Sequence, residues 1–127
     1  MKASRSRISK VLFMIARSRF GDAIIGWSFA HLTALFPVDR LYETDAVLAF
    51  YHPRPAYPLH ILIVPKQAIG SFLDLTEADT PVLTEIVAAA QHLVRELRLK
   101  ESGYRLMVNG GPYQDVGQIH FHLISGI

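Results

Sequence analysis

Gln118-Ile119-His120-Phe121-His122-Leu123-Ile124 is the stretch whose reading decides the fold. Ile119, Phe121 and Leu123 fall on one side of an extended chain, and Gln118, His120 and His122 on the other. That alternation predicts a half-buried strand over about residues 118–124. A plain half-buried strand would offer Thr, Ser or charged groups to its open side. This one offers two imidazoles two residues apart, side by side at ~7 Å along the strand. Close imidazoles oppose each other's protonation, so at least one is expected to be neutral near pH 7. A neutral imidazole is a competent nucleophile or a metal ligand. Two solvated histidines on an open sheet face are the plain structural alternative.

Upstream, Asn109-Gly110-Gly111-Pro112 must turn, and its exposed backbone N–H groups can hold phosphate oxygens. Tyr104 to Val108 reads as a strand. Before it, Val82, Leu83, Ile86, Val87, Ala90, Leu93, Val94 and Leu97 recur at helical spacing down to about Arg98. Thr76 has the character of its N-cap, Glu77 and Asp79 suit its positive end, and Ser102-Gly103 breaks it. The β-branched run His60 to Val64 suits a strand buried on both faces. Pro53, Pro55 and Pro58 make His52 to Pro58 a loop, so His52 and His60 bracket it within reach of the same site. Arg40 to Glu43 and Ala46 to Tyr51 read as strands joined at Thr44-Asp45. The pattern predicts an α+β fold with a mostly antiparallel sheet.

The chain has 127 residues, about one domain, and half of them are hydrophobic. That apolar excess points to a buried oligomer interface or to contact with membrane. With no cysteine, disulfides and thiolate zinc sites are excluded. The net charge of +2 is unevenly spread, with Lys2, Arg5, Arg7, Lys10, Arg17 and Arg19 all preceding the first acid, Asp22. Residues 2–19 therefore form a basic arm, suited to anionic lipid, nucleic acid or an organelle signal, or simply to a solvated terminus. The apolar run Val11 to Ala16 is shorter than a signal-peptide core of about 7–15 residues. Ala23 to Phe36, broken by Gly26, Ser28, His31 and Thr33, falls short of the ~20 residues of a membrane span. Trp27 and Phe29 would suit an interfacial helix, and a core-packing helix fits them better. Residues 8–19 and 22–36 are thus two predicted helical segments, and a cytoplasmic location is the default expectation.

Asn109-Gly-Gly-Pro-Tyr-Gln-Asp-Val-Gly-Gln-Ile-His-Phe-His-Leu123 resembles the signature of the histidine-triad (HIT) proteins. Glu43 to Phe50, His60-Ile-Leu-Ile-Val-Pro-Lys66 and Gly103 to Asn109 are similar to further family segments, in order and at nearly the family's spacing. The resemblance covers about residues 37–126, leaving 1–36 as an N-terminal helical extension of a domain at 37–127. It implies a five-stranded, mostly antiparallel sheet with one long helix, and a homodimer joined through that helix and a strand edge. It further implies binding of purine nucleotides or related phosphate compounds, with hydrolysis or nucleotidyl transfer through a nucleotidyl-histidine and no metal or cofactor.

By that resemblance His120 is the nucleophile, His122 contacts phosphate oxygens and helps the leaving group, and Gln118 completes the catalytic row. Asn109 and the main chain near Gln114, Asp115 and Val116 would hold the phosphate. Phe50, with Ile or Leu from the helix before Pro37, would hold the base, and His60 would support the site. Three departures stand out: Gln118 replaces the first triad histidine, Asp115 replaces Ser or Thr, and His52 replaces an Asp that holds ribose hydroxyls. A carboxylate at 115 would repel phosphate by ~1–4 kcal/mol at surface-like dielectric. Two other readings stay open. One is a nucleotide-binding module of the same fold without turnover; the other is a metal site of His120 and His122 with His52 or His60.

Overall fold

The apolar run around His60 to Val64 forms the middle of a five-stranded sheet. The computed structural model describes residues 39–127. The readings that fall on residues 1–38 lie outside the described residues: the basic arm, both helical segments, the Trp27–Phe29 helix and the base-holding apolar groups before Pro37. The strands are β1 (Arg40–Glu43), β2 (Val47–Tyr51), β3 (Leu59–Pro65), β4 (Arg105–Val108) and β5 (Phe121–Ser125). Between β3 and β4 lie the long helix α1 (Thr80–Glu96) and the short helix α2 (Leu99–Ser102). The strand order is β1-β2-β3-β5-β4, and every neighbouring pair is antiparallel, as the alternating pattern predicts.

Local chemistry explains the joins. Thr44 turns β1 into β2: its Oγ1 accepts the N–H groups of Ala46 and Val47, both at 3.1 Å. Ahead of α1, Asp79 Oδ2 accepts the Thr76 N–H at 2.9 Å, and Oδ1 accepts from Gln67 Nε2 at 3.1 Å. That buried carboxylate ties the start of the helix to the segment after β3.

Pairing and pleat sort the side chains into two faces. Val47, Ala49, Ile61, Ile63 and Leu123 pack against Ile86, Ala89, Ala90 and Leu93 of α1, spaced to line one helical stripe. Leu48, Phe50, Leu62 and Ile124 alternate with these and belong to the opposite face. Cross-strand partners share a face, so the registers Leu62↔His122 and His60↔Ile124 put the histidines on that opposite face too. Phe50, the expected base-holding residue, lies across from Leu62 there and is fully buried.

Two boundaries differ from the sequence reading. The ladder of β5 begins at Phe121, and before it Gln118 and Ile119 bond to the end of β3 and the segment that follows it. The long helix ends at Glu96, before the Ser102-Gly103 signal. Arg98 adopts a left-handed conformation (φ 55°), which turns the chain so that Leu99 packs into the core while α2 continues to Gly103.

Ile86 is 2 % exposed at the middle of the helix–sheet contact. Ile86→Ala is expected to lower unfolding free energy by about 2–4 kcal/mol in a urea titration, while Gln91→Ala on the exposed side shifts it by less than about 0.5 kcal/mol.

Candidate functional site

Four imidazoles gather on the sheet face opposite α1. His60 enters from the start of β3, His122 from β5, His120 from just before β5, and His52 from the loop after β2. The His120 and His122 rings lie 5.0 Å apart, closer than the strand spacing because His120 precedes the regular ladder. The His60 and His122 rings are 5.1 Å apart, and His52 stacks on His60 at 4.3 Å with 29° between planes.

Hydrogen bonds decide where each proton sits. The Ala56 N–H donates to His60 Nδ1 at 3.0 Å, so neutral His60 carries its hydrogen on Nε2. His60 Nε2 lies 2.8 Å from His122 Nδ1 and must be the donor there. His122 therefore carries its own hydrogen on Nε2, facing outward beside Asn109. The Asn109 Nδ2 sits 3.4 Å from that nitrogen; since both atoms bear hydrogen, this is a contact and not a hydrogen bond. His120 is set the opposite way. Its Nδ1 lies 2.8 Å from the Gln118 carbonyl, which can only accept, so Nδ1 holds the hydrogen and Nε2 keeps a lone pair.

The loop sequence arranges this. In Pro53-Arg54-Pro55-Ala56-Tyr57-Pro58 the prolines have no N–H, leaving three donors. Two of them go to histidine Nδ1 atoms: Ala56 to His60, and Arg54 to His52 at 2.9 Å. Tyr57 closes over His60 edge-on at 5.4 Å.

The cluster is held uncharged. Burial, with the neighbouring imidazoles of His120, His60 and His52, pushes His122 down to about 3, against a weak opposing pull from Asp115. Burial and the imidazoles of His60 and His120 push His52 down to about 4. His60 and His120 are lowered as well, again mainly by burial; for His120 the Gln118 carbonyl and Asp115 act in the opposite sense.

The phosphate-binding expectations divide. Gly111, at φ 58°, makes the tight turn that the glycine pair predicts. Near Gln114, where the main chain is expected to hold phosphate, the Gln114 side chain is a brace. Its Nε2 donates to the carbonyls of Gly70 (2.7 Å) and Val116 (2.8 Å), and its N–H to Gly111 (3.0 Å). The N–H groups of Asp115 and Val116 make no hydrogen bond among the described residues, so they are the donors available to an oxyanion. Asp115 is exposed, and its charge reaches both His120 and His122. Gln118, placed in the catalytic row by the sequence, has its side chain occupied elsewhere: Nε2 donates to the Pro65 and Gln67 carbonyls and Oε1 accepts the Ile69 N–H. Sequence reasoning missed Ala56, Gln67 and Ile69, which act through their backbones; the proline spacing was the one available signal, and only for Ala56.

Among the described residues the ligand atoms of His52, His60 and His122 lie within 4.8 Å of one another, a set that leaves out His120. It suits a metal poorly as it stands. Both His60 nitrogens are engaged, and a ring stacked on another does not aim its in-plane lone pair at the same ion.

An antiparallel α+β domain with a row of neutral, tautomer-fixed imidazoles buried on the sheet face opposite its long helix is the class that this geometry defines. The chain belongs to the HIT-domain family, whose model matches residues 35–127. It is 37% identical over 92 residues to an uncharacterized HIT-like protein of Synechococcus elongatus, spanning 71% of this chain and 80% of that one. It is 34% identical over 92 residues to a purine nucleoside phosphoramidase of Escherichia coli, spanning 71% and 77%. A crystal structure of a HIT family hydrolase from Legionella pneumophila superposes with a TM-score of 0.72 at 34% identity, covering 80% of this chain and 90% of that one. A histidine triad protein from Clostridium difficile gives 0.72 at 30%, covering 81% and 90%. The family and the five-stranded α+β fold read from the sequence are both found. Among the described residues no helix is long and apolar enough to cross a membrane.

A histidine whose pKa is lowered by folding binds fewer protons than its unfolded counterpart, so acid favours unfolding. Stability is therefore expected to be full above about pH 6.5 and to fall between there and about 3–4, the window set by His52 and His122. Urea midpoints from pH 7.5 to 4 measure it. Over pH 6–8, ring resonances of His52 and His122 are expected to show no protonation step.

Proposed function

We propose that the protein is a nucleotide-processing hydrolase of the histidine-triad type, a phosphoramidase acting on purine nucleoside phosphoramidates, in which His120 is the nucleophile. The observation that carries this reading is the His120 ring: Nδ1 bound to the Gln118 carbonyl and Nε2 left with its electron pair. The similarity to the E. coli phosphoramidase supports the substrate class.

The His120 Nε2 pair attacks phosphorus, and an N–P bond forms. The bond from phosphorus to the bridging nitrogen, protonated in the incoming substrate, breaks and its pair leaves with the neutral amine. His122 Nε2–H donates to a phosphate oxygen as charge builds, joined by the Asp115 and Val116 N–H groups. Water then attacks phosphorus, the N–P pair returns to His120 Nε2, and one proton passes to solvent. The relay His60→His122 keeps the His122 hydrogen facing the phosphate. His52, stacked on that relay at 4.3 Å from His60, would meet the sugar in this reading.

Asp115 favours a second reading, a nucleotide-binding module without turnover, because its carboxylate faces an anionic ligand with no histidine charge to offset it. The proposed assembly is a homodimer. β4 is a sheet edge, and beside it Val87, Val94, Tyr104 and Leu106 line an open groove of about 490 Å³ against α1. Tyr104 and Leu106 are 50% and 41% exposed, an apolar edge that a second copy would cover.

His120→Ala is expected to lower turnover of adenosine phosphoramidate by at least about 10³-fold, and His122→Ala by about 10²–10³-fold, with circular dichroism unchanged. A near-native rate for His120→Ala defeats the assignment. Asp115→Ser is expected to tighten adenosine monophosphate binding about tenfold by calorimetry, corresponding to the lower end of the repulsion above. If wild type binds the nucleotide and never turns over, the binding module is correct.

A further inference from the structure

We propose that Gln118 is a positioning residue, whose side-chain amide straps residues 65–69 to the chain entering β5 and so holds the carbonyl that selects the His120 tautomer. The catalytic readout below rests on the phosphoramidase reading; the tautomer readout does not.

Gln118 is 1% exposed, and its side-chain amide bonds to backbone distant in sequence. Nε2 donates to the carbonyls of Pro65 at 3.0 Å and Gln67 at 2.8 Å, and Oε1 accepts from the Ile69 N–H at 3.2 Å. One residue on, the Ile119 N–H donates to the Ile69 carbonyl at 2.8 Å. The amide thus takes the part of a missing strand, pairing with backbone on the stretch that precedes the β5 ladder. The strap is itself anchored, because Gln67 Nε2 reaches Asp79 at the head of α1.

This bonding fixes the Gln118 main chain, and the Gln118 carbonyl is the group that receives the His120 Nδ1–H. If that carbonyl swings away, the two neutral tautomers of His120 come close to equal weight. Hydrogen on Nε2 blocks the lone pair needed for attack. A primary amide is suited to the task because it has two donors and an acceptor; a neutral imidazole has one of each and cannot serve all three backbone groups.

The test uses the full chain with ¹⁵N-labelled histidine, read by long-range ¹H–¹⁵N spectra at pH 7, together with steady-state hydrolysis of adenosine phosphoramidate. Wild type is expected to show His120 in the Nδ1–H form alone. Gln118→Ala is expected to show a mixture of both forms, which by population alone about halves kcat, and a total kcat loss of about 10–100-fold because the freed ring also leaves its line of attack, with KM within about threefold. Gln118→His, which keeps part of the strap, is expected to fall between. If Gln118→Ala does not fold, Gln118→His and the wild-type spectrum decide. An Nε2–H form of His120 in wild type overturns the proposal, and so does a folded variant with unchanged tautomer, whatever its kcat. If wild type is inactive, the phosphoramidase reading fails while the spectra still judge the strap.

Discussion

Which ring nitrogen carries hydrogen is the constraint on which the site depends, and two backbone groups impose it. The Ala56 N–H forces His60 to present Nε2–H, which forces His122 to present Nε2–H in turn. The Gln118 carbonyl forces the reverse on His120. Two neighbouring residues of one type thereby become a donor and an electron pair, the complementary equipment for attack on phosphorus. Neither assignment needs a charged group. Both need backbone held still, one by a proline loop and the other by a buried amide.

Burial and tautomer control support each other. An exposed imidazole with an ordinary pKa would spend part of its time protonated at neutral pH, and a protonated ring has no lone pair. Here the sheet face that buries Leu48, Phe50 and Leu62 also desolvates the histidines set among them. Four close imidazoles then suppress one another's protonation further. The cost of such a site is sensitivity to acid, since every proton forced into it opposes the fold.

Much of the architecture was legible in the sequence because period and punctuation were unambiguous. The 2-residue alternation near His120, the helical stripe from Val82 to Leu93 and the prolines after His52 each had one natural reading, and the structure contains all three elements. The boundaries that moved did so for tertiary reasons. Gln118 to His120 leave the ladder because a side-chain amide and a neighbouring loop replace it, and α1 stops early because Leu99 finds a core position that a continuing helix would deny it. The site was legible in residue type but not in role. A string of letters shows two histidines as equivalent; only the backbone around them makes them different. Gln114 stands where the main chain is expected to hold phosphate and Gln118 in the expected catalytic row, yet their side-chain amides donate to the backbone carbonyls of Gly70, Val116, Pro65 and Gln67.

The electrostatics of the pocket follow from the same facts and narrow what can enter it. With the imidazoles neutral, the charge felt by both His120 and His122 among the described residues is the Asp115 carboxylate. Glu43 on β1 forms ion pairs with Arg40 at 2.8 Å and Lys66 at 2.7 Å. In the proposed reaction the phosphate meets dipoles: the His122 N–H and the N–H groups at Asp115 and Val116. Dipoles aimed at one point discriminate by geometry, and they gain strength as water is excluded. In the proposed reaction His120 becomes cationic on bonding to phosphorus, and only then would Asp115 turn from a repulsive neighbour into a favourable one. A carboxylate that disfavours the resting ligand thus favours the covalent state, which is differential binding along the reaction coordinate.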